Sequence, residues 1–279
     1  MIPILLTKIK TRDGIPLEGI VSLPKQKSDT ALIWIHGLSS RFSSGQTLMQ
    51  ELSQACTKNR IGYFKFNTRG HDIVSRGGKN FIGAGFEKFE ACIYDIRAMI
   101  SFAKSLGFKK IILAGHSTGA NKIIYYIYKT RDSAVKGLSL LGPLSDISIG
   151  LKTFGEKKLR RALEIAERLK NKKGALMPSK YGFLTPRRFL SLNLAGSAED
   201  VFPYHNPDAS WKELKNVRAP LTVIIGACDE YRDRPAKNLV NIFQKNTLST
   251  KSFSGFIIAG ANHSFRKKEK ELSGTLINW

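Results

Sequence analysis

Short apolar runs alternate with longer amphipathic stretches along most of the chain, beginning near Leu32. Before that point, two strands near Ile4–Lys10 and Leu17–Leu23 flank the turn residues Asp13 and Gly14. Apolar runs bounded by turn residues are typical of buried strands, whereas apolar positions three and four apart indicate helices. This alternation predicts βα units, and therefore an α/β fold with a mainly parallel central β-sheet flanked by helices.

The predicted elements after these two strands can be stated individually. The buried strands share an apolar run: Leu32–Ile35, Gly62–Phe66, Lys110–Ala114, Gly137–Leu141, Leu221–Ile225 and Phe253–Ile258. The helices share apolar positions at helical spacing: Thr47–Lys58, Phe86–Ala103, one from Thr118, one near Arg234–Phe243 and one from Lys267. Because strands and helices alternate, most strands of the sheet are expected to run parallel.

The alternation breaks between residues 145 and 211, where the chain becomes irregular and rich in Pro, Gly and Ser. One helix is predicted there, Lys157–Lys173, with an apolar side and a strongly basic side. We interpret residues 145–211 as a cap inserted into one core domain, which comprises residues 1–144 and 212–279. The apolar side of the cap helix is expected to pack onto the sheet.

The sequence Gly-His-Ser-Thr-Gly at residues 115–119 follows a predicted strand and precedes a predicted helix. A G-x-S-x-G pattern in this context is typical of a nucleophile elbow, a sharp turn that exposes the serine hydroxyl. Small residues two before and two after the serine let such a turn close. Ser117 is therefore the predicted nucleophile, and the adjacent His116 is expected to be structural because it points away from Ser117.

A serine hydroxyl needs a base within hydrogen-bonding distance before it becomes a good nucleophile. The predicted base is His263, which follows the last strand, and His205 in the cap is the alternative. The base in turn needs a carboxylate that fixes its tautomer. Asp229, after the strand Leu221–Ile225, is the predicted acid, and Asp146 is an alternative because the acid can follow the preceding strand. The neighbouring carboxylates Glu230 and Asp233 are close enough in sequence to be confused with Asp229.

The negative charge that develops on a substrate oxygen during acyl transfer must be met by backbone N–H groups. The amide of Thr118, directly after the nucleophile, is one predicted donor. The other is the amide of Leu38, in the loop after the strand Leu32–Ile35, where Gly37 permits the backbone to twist. His36 is expected to brace this loop.

These residues together resemble the α/β-hydrolase superfamily over nearly the whole chain. The loop 67–72, with its Arg-Gly-His turn, also resembles loops that are common in these hydrolases and shape the pocket wall. More loosely, Phe66, the Arg-Gly-His turn, Phe89-Glu90 and the Gly-His-Ser sequence are similar to a branch that contains fungal siderophore esterases. The resemblance implies a serine hydrolase that cleaves a carboxylic ester and needs no cofactor. Thioesterase, peptidase or amidase activity and a catalytically silent binding protein remain as alternatives.

Composition adds constraints on location and partners. The three cysteines form no C-x-x-C pair, the N-terminal segment lacks the features of a signal peptide, and no apolar run is long enough to span a membrane. A cytoplasmic enzyme with a small-molecule acyl substrate is therefore expected. The net charge of +23 leaves attraction to an anionic surface open, through the basic side of the cap helix, although no nucleic acid is expected as a partner. The sequence does not indicate an oligomeric state.

Overall fold

The computed structural model describes residues 3–279; Met1 and Ile2, which belong to the predicted core domain, lie outside the described residues. The strands are β1 Leu5–Lys10, β2 Pro16–Ser22, β3 Thr30–Ile35, β4 Gly62–Phe66, β5 Ser75–Gly77, β6 Asn80–Ile82, β7 Lys110–His116, β8 Val135–Leu141, β9 Leu221–Gly226 and β10 Phe253–Ile258. The helices are α1 Gln46–Lys58, α2 Cys92–Ser105, α3 Thr118–Thr130, α4 Asp146–Phe154, α5 Glu156–Leu169, α6 Pro186–Asn193, α7 Lys212–Lys215, α8 Ala236–Lys245 and α9 Glu269–Asn278.

Eight of these strands form one sheet in the order β1-β2-β4-β3-β7-β8-β9-β10. β2 pairs antiparallel with both β1 and β4, and every other pairing in this sheet is parallel. The predicted mainly parallel sheet flanked by helices is therefore confirmed. Because β3, β7, β8, β9 and β10 run in the same direction, the loops that follow them lie along one edge of the sheet.

Each face of the sheet has its own core. On β4, Phe64 and Phe66 belong to the larger cluster, which also contains the buried side of α2 and α3. The alternate residue Tyr63 lies in the second cluster with Trp34 and Leu52 of α1. The alternation follows from the pleat of a strand, in which successive side chains point to opposite faces.

One predicted helix begins later than expected. The spacing predicted a helix from Phe86, but α2 begins at Cys92 after a single 3₁₀ turn at Phe89–Ala91. The amides of Phe86 and Glu87 both donate to the Gly83 carbonyl oxygen in a turn. The start is displaced because Glu87 is buried against basic side chains from other elements, a tertiary contact that a local pattern does not contain.

A short hairpin, β5–β6, was not predicted. Its turn includes Gly78, whose φ of +66° favours glycine, and the pairing covers three residues on each side. Strands this short produce no clear alternation of apolar and polar positions, so the pattern could not indicate them.

Within residues 145–211 the chain forms α4, α5 and α6. The expectation that the apolar side of the basic helix packs onto the sheet is wrong: Leu159, Ala162 and Ala166 of α5 pack against Met177 and Phe189 in a separate cluster. This segment therefore has a small core of its own. The basic residues of α5 lie on the opposite, exposed side of the helix.

Replacing Phe64 with alanine tests the importance of the larger cluster. Phe64 is fully buried, with its ring packed edge-to-face against Phe102 and Phe108. Its loss should leave a cavity and lower the free energy of unfolding by about 3–5 kcal/mol, measured by urea denaturation. Phe81→Ala is the matched control, since Phe81 is 59% exposed, and should change stability by less than about 1 kcal/mol. Equal losses in the two variants would contradict this assignment of the core.

Candidate active site

Ser117 lies between the end of β7 and the first residue of α3. Its backbone has φ 56° and ψ −129°, a positive φ that residues with a side chain rarely adopt. Such a conformation costs on the order of 1–3 kcal/mol and persists only where the surrounding structure holds it. The sharp strand-to-helix turn that the sequence pattern indicates is therefore present at Ser117.

Two glycines allow this turn to pack closely. A Cβ atom on Gly119 would lie 2.2 Å from the Ile35 carbonyl oxygen, and a Cβ atom on Gly115 would lie 2.4 Å from the Gly119 carbonyl oxygen. Both distances are far below van der Waals contact, so any larger residue would displace the start of α3 from β3 or β7. The spacing of glycines around Ser117 thus has a direct steric cause.

His263 and Asp229 are hydrogen-bonded to each other, with 2.8 Å between His263 Nδ1 and Asp229 Oδ2. Both side chains are buried, and they lie in the loops that follow β10 and β9. The other oxygen of Asp229 accepts a hydrogen bond from the Tyr231 amide at 2.9 Å. A carboxylate beside Nδ1 favours a proton on that nitrogen, which leaves Nε2 as the acceptor.

The loop around this pair is held by further contacts. The His263 amide donates to Glu230 Oε2 at 2.9 Å, and the Tyr231 ring packs edge-on against the imidazole. Asp233 is paired with Arg234. Glu230 therefore positions the backbone of His263, and neither of these neighbouring carboxylates occupies the place that Asp229 has beside the ring.

Ser117 lies beside the same pair. Its amide donates to the Leu141 carbonyl oxygen at 2.9 Å. Gly142, the residue after Leu141, packs against the pair. A Cβ atom on Gly142 would lie 3.0 Å from His263 Nδ1 and 3.3 Å from Asp229 Oδ2. Within residues 3–279, no hydrogen bond joins the Ser117 hydroxyl to the His263 ring.

His116 connects the elbow to the loop that carries His263. Its Nε2 lies 2.8 Å from the His263 carbonyl oxygen, and the two rings are 4.8 Å apart. Burial lowers the pKa of His116 to about 4, so the ring is neutral near pH 7 and Nε2 carries the proton that it donates. The sequence indicated only a structural role for this residue, and nothing in the pattern identified its partner.

The loop after β3 passes close to Ser117. A Cβ atom on Gly37 would lie 2.7 Å from the Ser117 Cβ and 3.3 Å from its hydroxyl oxygen. In the described part of the chain, the amides of Leu38 and Thr118 donate no hydrogen bond. Two free N–H groups thus belong to the two segments that meet at Ser117, an arrangement that could stabilise an oxyanion.

His36 braces this loop through both ring nitrogens. Nδ1 lies 2.8 Å from the Gly37 carbonyl oxygen, and the Thr68 amide donates to Nε2 at 2.9 Å. These partners require a proton on Nδ1 and none on Nε2. Burial lowers the pKa of His36 to about 3, which keeps the ring in this neutral form near pH 7.

The alternative acid and base lie elsewhere. Asp146 is in the first turn of α4, and one of its carboxylate oxygens is buried with no hydrogen-bond partner among residues 3–279. Burial, and then the nearby Glu199 carboxylate, raise the pKa of Asp146 well above its ordinary value. His205 Nδ1 lies 3.3 Å from the Ser145 hydroxyl and 3.7 Å from Asp200. Neither alternative residue forms a pair like that of His263 and Asp229.

A buried network of charges, which the sequence did not indicate, joins α3 to the segment 145–211. Lys122 Nζ lies 2.6 Å from Glu87 Oε1, and Arg188 of α6 lies 3.4 Å from Glu87 Oε2 and is also paired with Glu199. Burial alone would raise the pKa of Glu87, but Lys122 and Arg188 lower it below its ordinary value. The charges are therefore compensated within the protein, which is required of buried ions.

The described residues form no metal-binding cluster, no membrane-spanning helix and no disulfide. Among residues 3–279, no three His, Cys, Asp or Glu side chains are grouped so that they could hold a metal ion. No helix in the same range has the length and apolar character to cross a bilayer. Cys56 and Cys92 are buried free thiols, and Cys228 is an exposed one.

Solved structures that resemble the chain include esterases and a siderophore hydrolase. Siderophore hydrolase EstB from Aspergillus fumigatus is 17% identical with a TM-score of 0.71, and the match covers 100% of this chain and 95% of EstB. Est1E from Butyrivibrio proteoclasticus, a structure with bound ferulic acid, is 18% identical with a TM-score of 0.66 and coverages of 98% and 97%. The Pyrococcus furiosus esterase Pf2001 is 17% identical with a TM-score of 0.63 and coverages of 99% and 89%.

At these identities the likeness establishes the fold. The chain has the α/β-hydrolase fold, as the resemblance in its sequence indicated. It belongs to the family described as "Protein of unknown function (DUF1749)", which matches residues 3–278. No curated protein matches the chain.

Arg188→Met tests the buried network. The substitution would leave Glu87 and Glu199 buried without their shared counter-ion, so the free energy of unfolding should fall by about 3–5 kcal/mol in urea denaturation. The preceding Arg187 is exposed, and Arg187→Met should cost less than about 1 kcal/mol. If the free energy of unfolding of Arg188→Met equals that of wild type, the network does not hold α6 in place.

Proposed function

We propose that this protein is a serine hydrolase that cleaves a carboxylic ester through an acyl-enzyme, with Ser117 as nucleophile, His263 as general base and Asp229 as the orienting acid. The observation that carries the proposal is the hydrogen-bonded His263–Asp229 pair beside a serine at a strained strand-to-helix turn. The occurrence of esterases among the structural neighbours supports an ester as the substrate.

In the first half of the reaction, the Ser117 hydroxyl oxygen attacks the ester carbonyl carbon and its proton passes to His263 Nε2. We expect the hydrogen bond between these groups to form when substrate binds, because catalytic hydrogen bonds often tighten only in the complex. The amides of Leu38 and Thr118 donate to the oxyanion of the tetrahedral intermediate. The carbon–oxygen bond to the alcohol then breaks, and the alcohol leaves with the proton from His263.

In the second half, His263 takes a proton from water, and the resulting hydroxide attacks the acyl carbon. The bond to Ser117 breaks, the serine regains a proton from His263, and the carboxylic acid is released. Asp229 keeps Nδ1 protonated in the resting state and stabilises the imidazolium that forms twice in the cycle. No metal or organic cofactor takes part in these steps.

Residues 145–211 act in this proposal as a cap over a core made of residues 1–144 and 212–279. The paired charges Lys122, Glu87, Arg188 and Glu199 would fix the cap relative to α3, which begins directly after Ser117. A cap held in this way shapes the pocket that receives a small acyl substrate. The free thiols are compatible with a reducing cytoplasm.

A fluorophosphonate probe tests the nucleophile, because it reacts with an activated serine whatever the natural substrate is. Wild type should be labelled and Ser117→Ala should not, while activity on p-nitrophenyl esters should fall by roughly 10⁴-fold or more in the variant. Ser39→Ala, in the neighbouring loop, is the matched control and should keep its labelling. An unlabelled but folded wild type would favour a catalytically silent binding protein.

The same triad can cleave thioesters and amides, so the leaving group needs its own experiment. A panel of one acyl group carried as ester, thioester and anilide would rank the three by kcat/KM. The structural neighbour described as a siderophore hydrolase makes a siderophore ester a sensible addition to the panel. The highest kcat/KM on a thioester or an anilide would overturn the proposed substrate class while leaving the nucleophile intact.

The assignment of the acid is tested by comparing Asp229→Asn with Asp146→Asn. An amide beside Nδ1 would favour the wrong tautomer of His263, so kcat should fall by roughly 10³–10⁴-fold in Asp229→Asn. Asp146→Asn should change kcat by less than about tenfold, because Asp146 is not paired with His263. A larger loss in Asp146→Asn than in Asp229→Asn, in two folded variants, would exchange their roles.

A further inference from the structure

A cavity of about 470 Å³ lies next to the turn at Ser117, and none of the groups assigned to catalysis lines it. Its walls include Trp34, Lys65 and His116 on the sheet and the first turn of α1. The residues Ser264, Arg266 and Lys267, which follow the base, complete the lining on that side. Ser117, Leu38, Thr118, Asp229 and His263 are not among the described residues that line it. Nothing in the proposed reaction uses this cavity.

Lys65 is an unusual residue to find there. It points from β4 into the cavity wall, it is only 5% exposed, and its ammonium group donates one hydrogen bond, to the Ser44 carbonyl oxygen. No carboxylate among residues 3–279 lies within ion-pair distance of it. Lysines are almost never this buried without a counter-ion, because removing the charge from water is costly.

Burial lowers the pKa of Lys65 to about 8, so the side chain remains mostly protonated at pH 7. An ammonium group has three N–H donors, and the Ser44 carbonyl accepts one of them. The other two have no acceptor in the described part of the chain. An uncompensated positive charge with free donors therefore lines the cavity.

The first turn of α1 adds donors on the other wall. The helix begins after Gly45, which has no side chain to cap it, and its first turn contains no acidic residue. The amides of Gln46, Thr47 and Leu48 donate no hydrogen bond among residues 3–279, and the first helical bond is from Met49 to Gly45. Free N–H groups at a helix N-terminus attract anions through both hydrogen bonds and the helix dipole.

The remaining polar groups around the cavity are mostly cationic or neutral. Arg266 and Lys267 line it, as do the hydroxyl-bearing residues Ser40, Thr47 and Ser264. Glu269 is the one carboxylate among the described lining residues. The net charge of the wall is positive, which fits an anionic occupant with several oxygen acceptors.

We propose that this cavity binds a phosphate group, held by the Lys65 ammonium and the first-turn amides of α1. A tetrahedral oxyanion offers enough acceptors to satisfy the free donors from both walls at once and supplies the counter-ion that Lys65 lacks. The proposal does not rest on the proposed function, because binding can be measured without any substrate.

Isothermal titration with inorganic phosphate, at constant ionic strength set with sodium chloride, tests the site. Wild type should bind one phosphate per chain. Lys65→Met should weaken binding by roughly ten- to hundredfold, since a charge-assisted hydrogen bond is lost. In phosphate-free buffer this variant should melt at the same temperature as wild type or higher, because an uncompensated buried charge has been removed.

Gln46→Glu provides a second variant that keeps Lys65. The new carboxylate, in the first turn of α1, would compete with phosphate for the free donors, so binding should weaken at least about tenfold. Gln50→Glu, one turn further along the same helix and outside the cavity lining, makes the same charge change and should bind within about twofold of wild type. The comparison of Gln46→Glu with Gln50→Glu tests the phosphate site even if Lys65→Met does not fold.

Two results of the phosphate titrations would contradict the proposal. No saturable binding to wild type, or equal binding in wild type, Gln46→Glu and Gln50→Glu, would overturn the proposal, the latter by showing attraction to a basic surface only. Titrations with glycerol phosphate and acetate distinguish the source of the anion. Tighter binding of glycerol phosphate than of inorganic phosphate would assign the site to a phosphate monoester, whereas acetate binding as tight as phosphate would contradict a phosphate site.

Discussion

The close approach of backbones around Ser117 is the constraint on which the candidate site depends. Gly119 lets the start of α3 lie against the carbonyl oxygen of Ile35, and Gly37 lets the loop after β3 lie against Ser117 itself. Without these contacts the free amides of Leu38 and Thr118 would not belong to adjoining segments. The strained φ of Ser117 follows from the same packing, because the turn must reverse direction between β7 and α3 while in close contact with the end of β3.

The sequence allowed the sheet and the elbow to be predicted because both depend on local signals. The apolar run Gly62–Phe66 coincides with an observed strand. Glycines are needed at positions 115 and 119 because a larger residue would collide with neighbouring backbone within the same turn. The meeting of Asp229 and His263 could also be expected, since each follows a parallel strand and parallel strands end at the same edge. Predicting the α/β-hydrolase fold therefore required only short-range patterns and the rule that parallel strands end at the same edge of a sheet.

The interactions that could not be predicted are the long-range ones between charged side chains. Glu87 was assigned to a helix because Phe86 and Phe89 fit helical spacing, yet its carboxylate is buried between Lys122 and Arg188. Those partners are far from it in sequence, and no periodicity relates them. The bond from His116 to the His263 carbonyl is another such case. Local patterns indicate which side chains are polar, but only the folded chain shows which of them meet.

The shortage of carboxylates in the chain bears on both the buried network of charges around Arg188 and the cavity at Lys65. The chain has 45 Lys and Arg but 22 Asp and Glu, and several carboxylates are buried beside partners inside the protein, among them Glu87, Asp95 and Glu199. Each internal pair removes one positive and one negative charge together, so the excess of positive charge is carried by the rest of the chain. Lys122 and Arg188 obtain their counter-ions in this way, whereas Lys65, on the opposite side of the sheet, has no carboxylate partner among residues 3–279. A protein with few spare carboxylates that nevertheless buries an ammonium group needs a counter-ion from solution, and the free amides at the start of α1 provide the rest of a site for it.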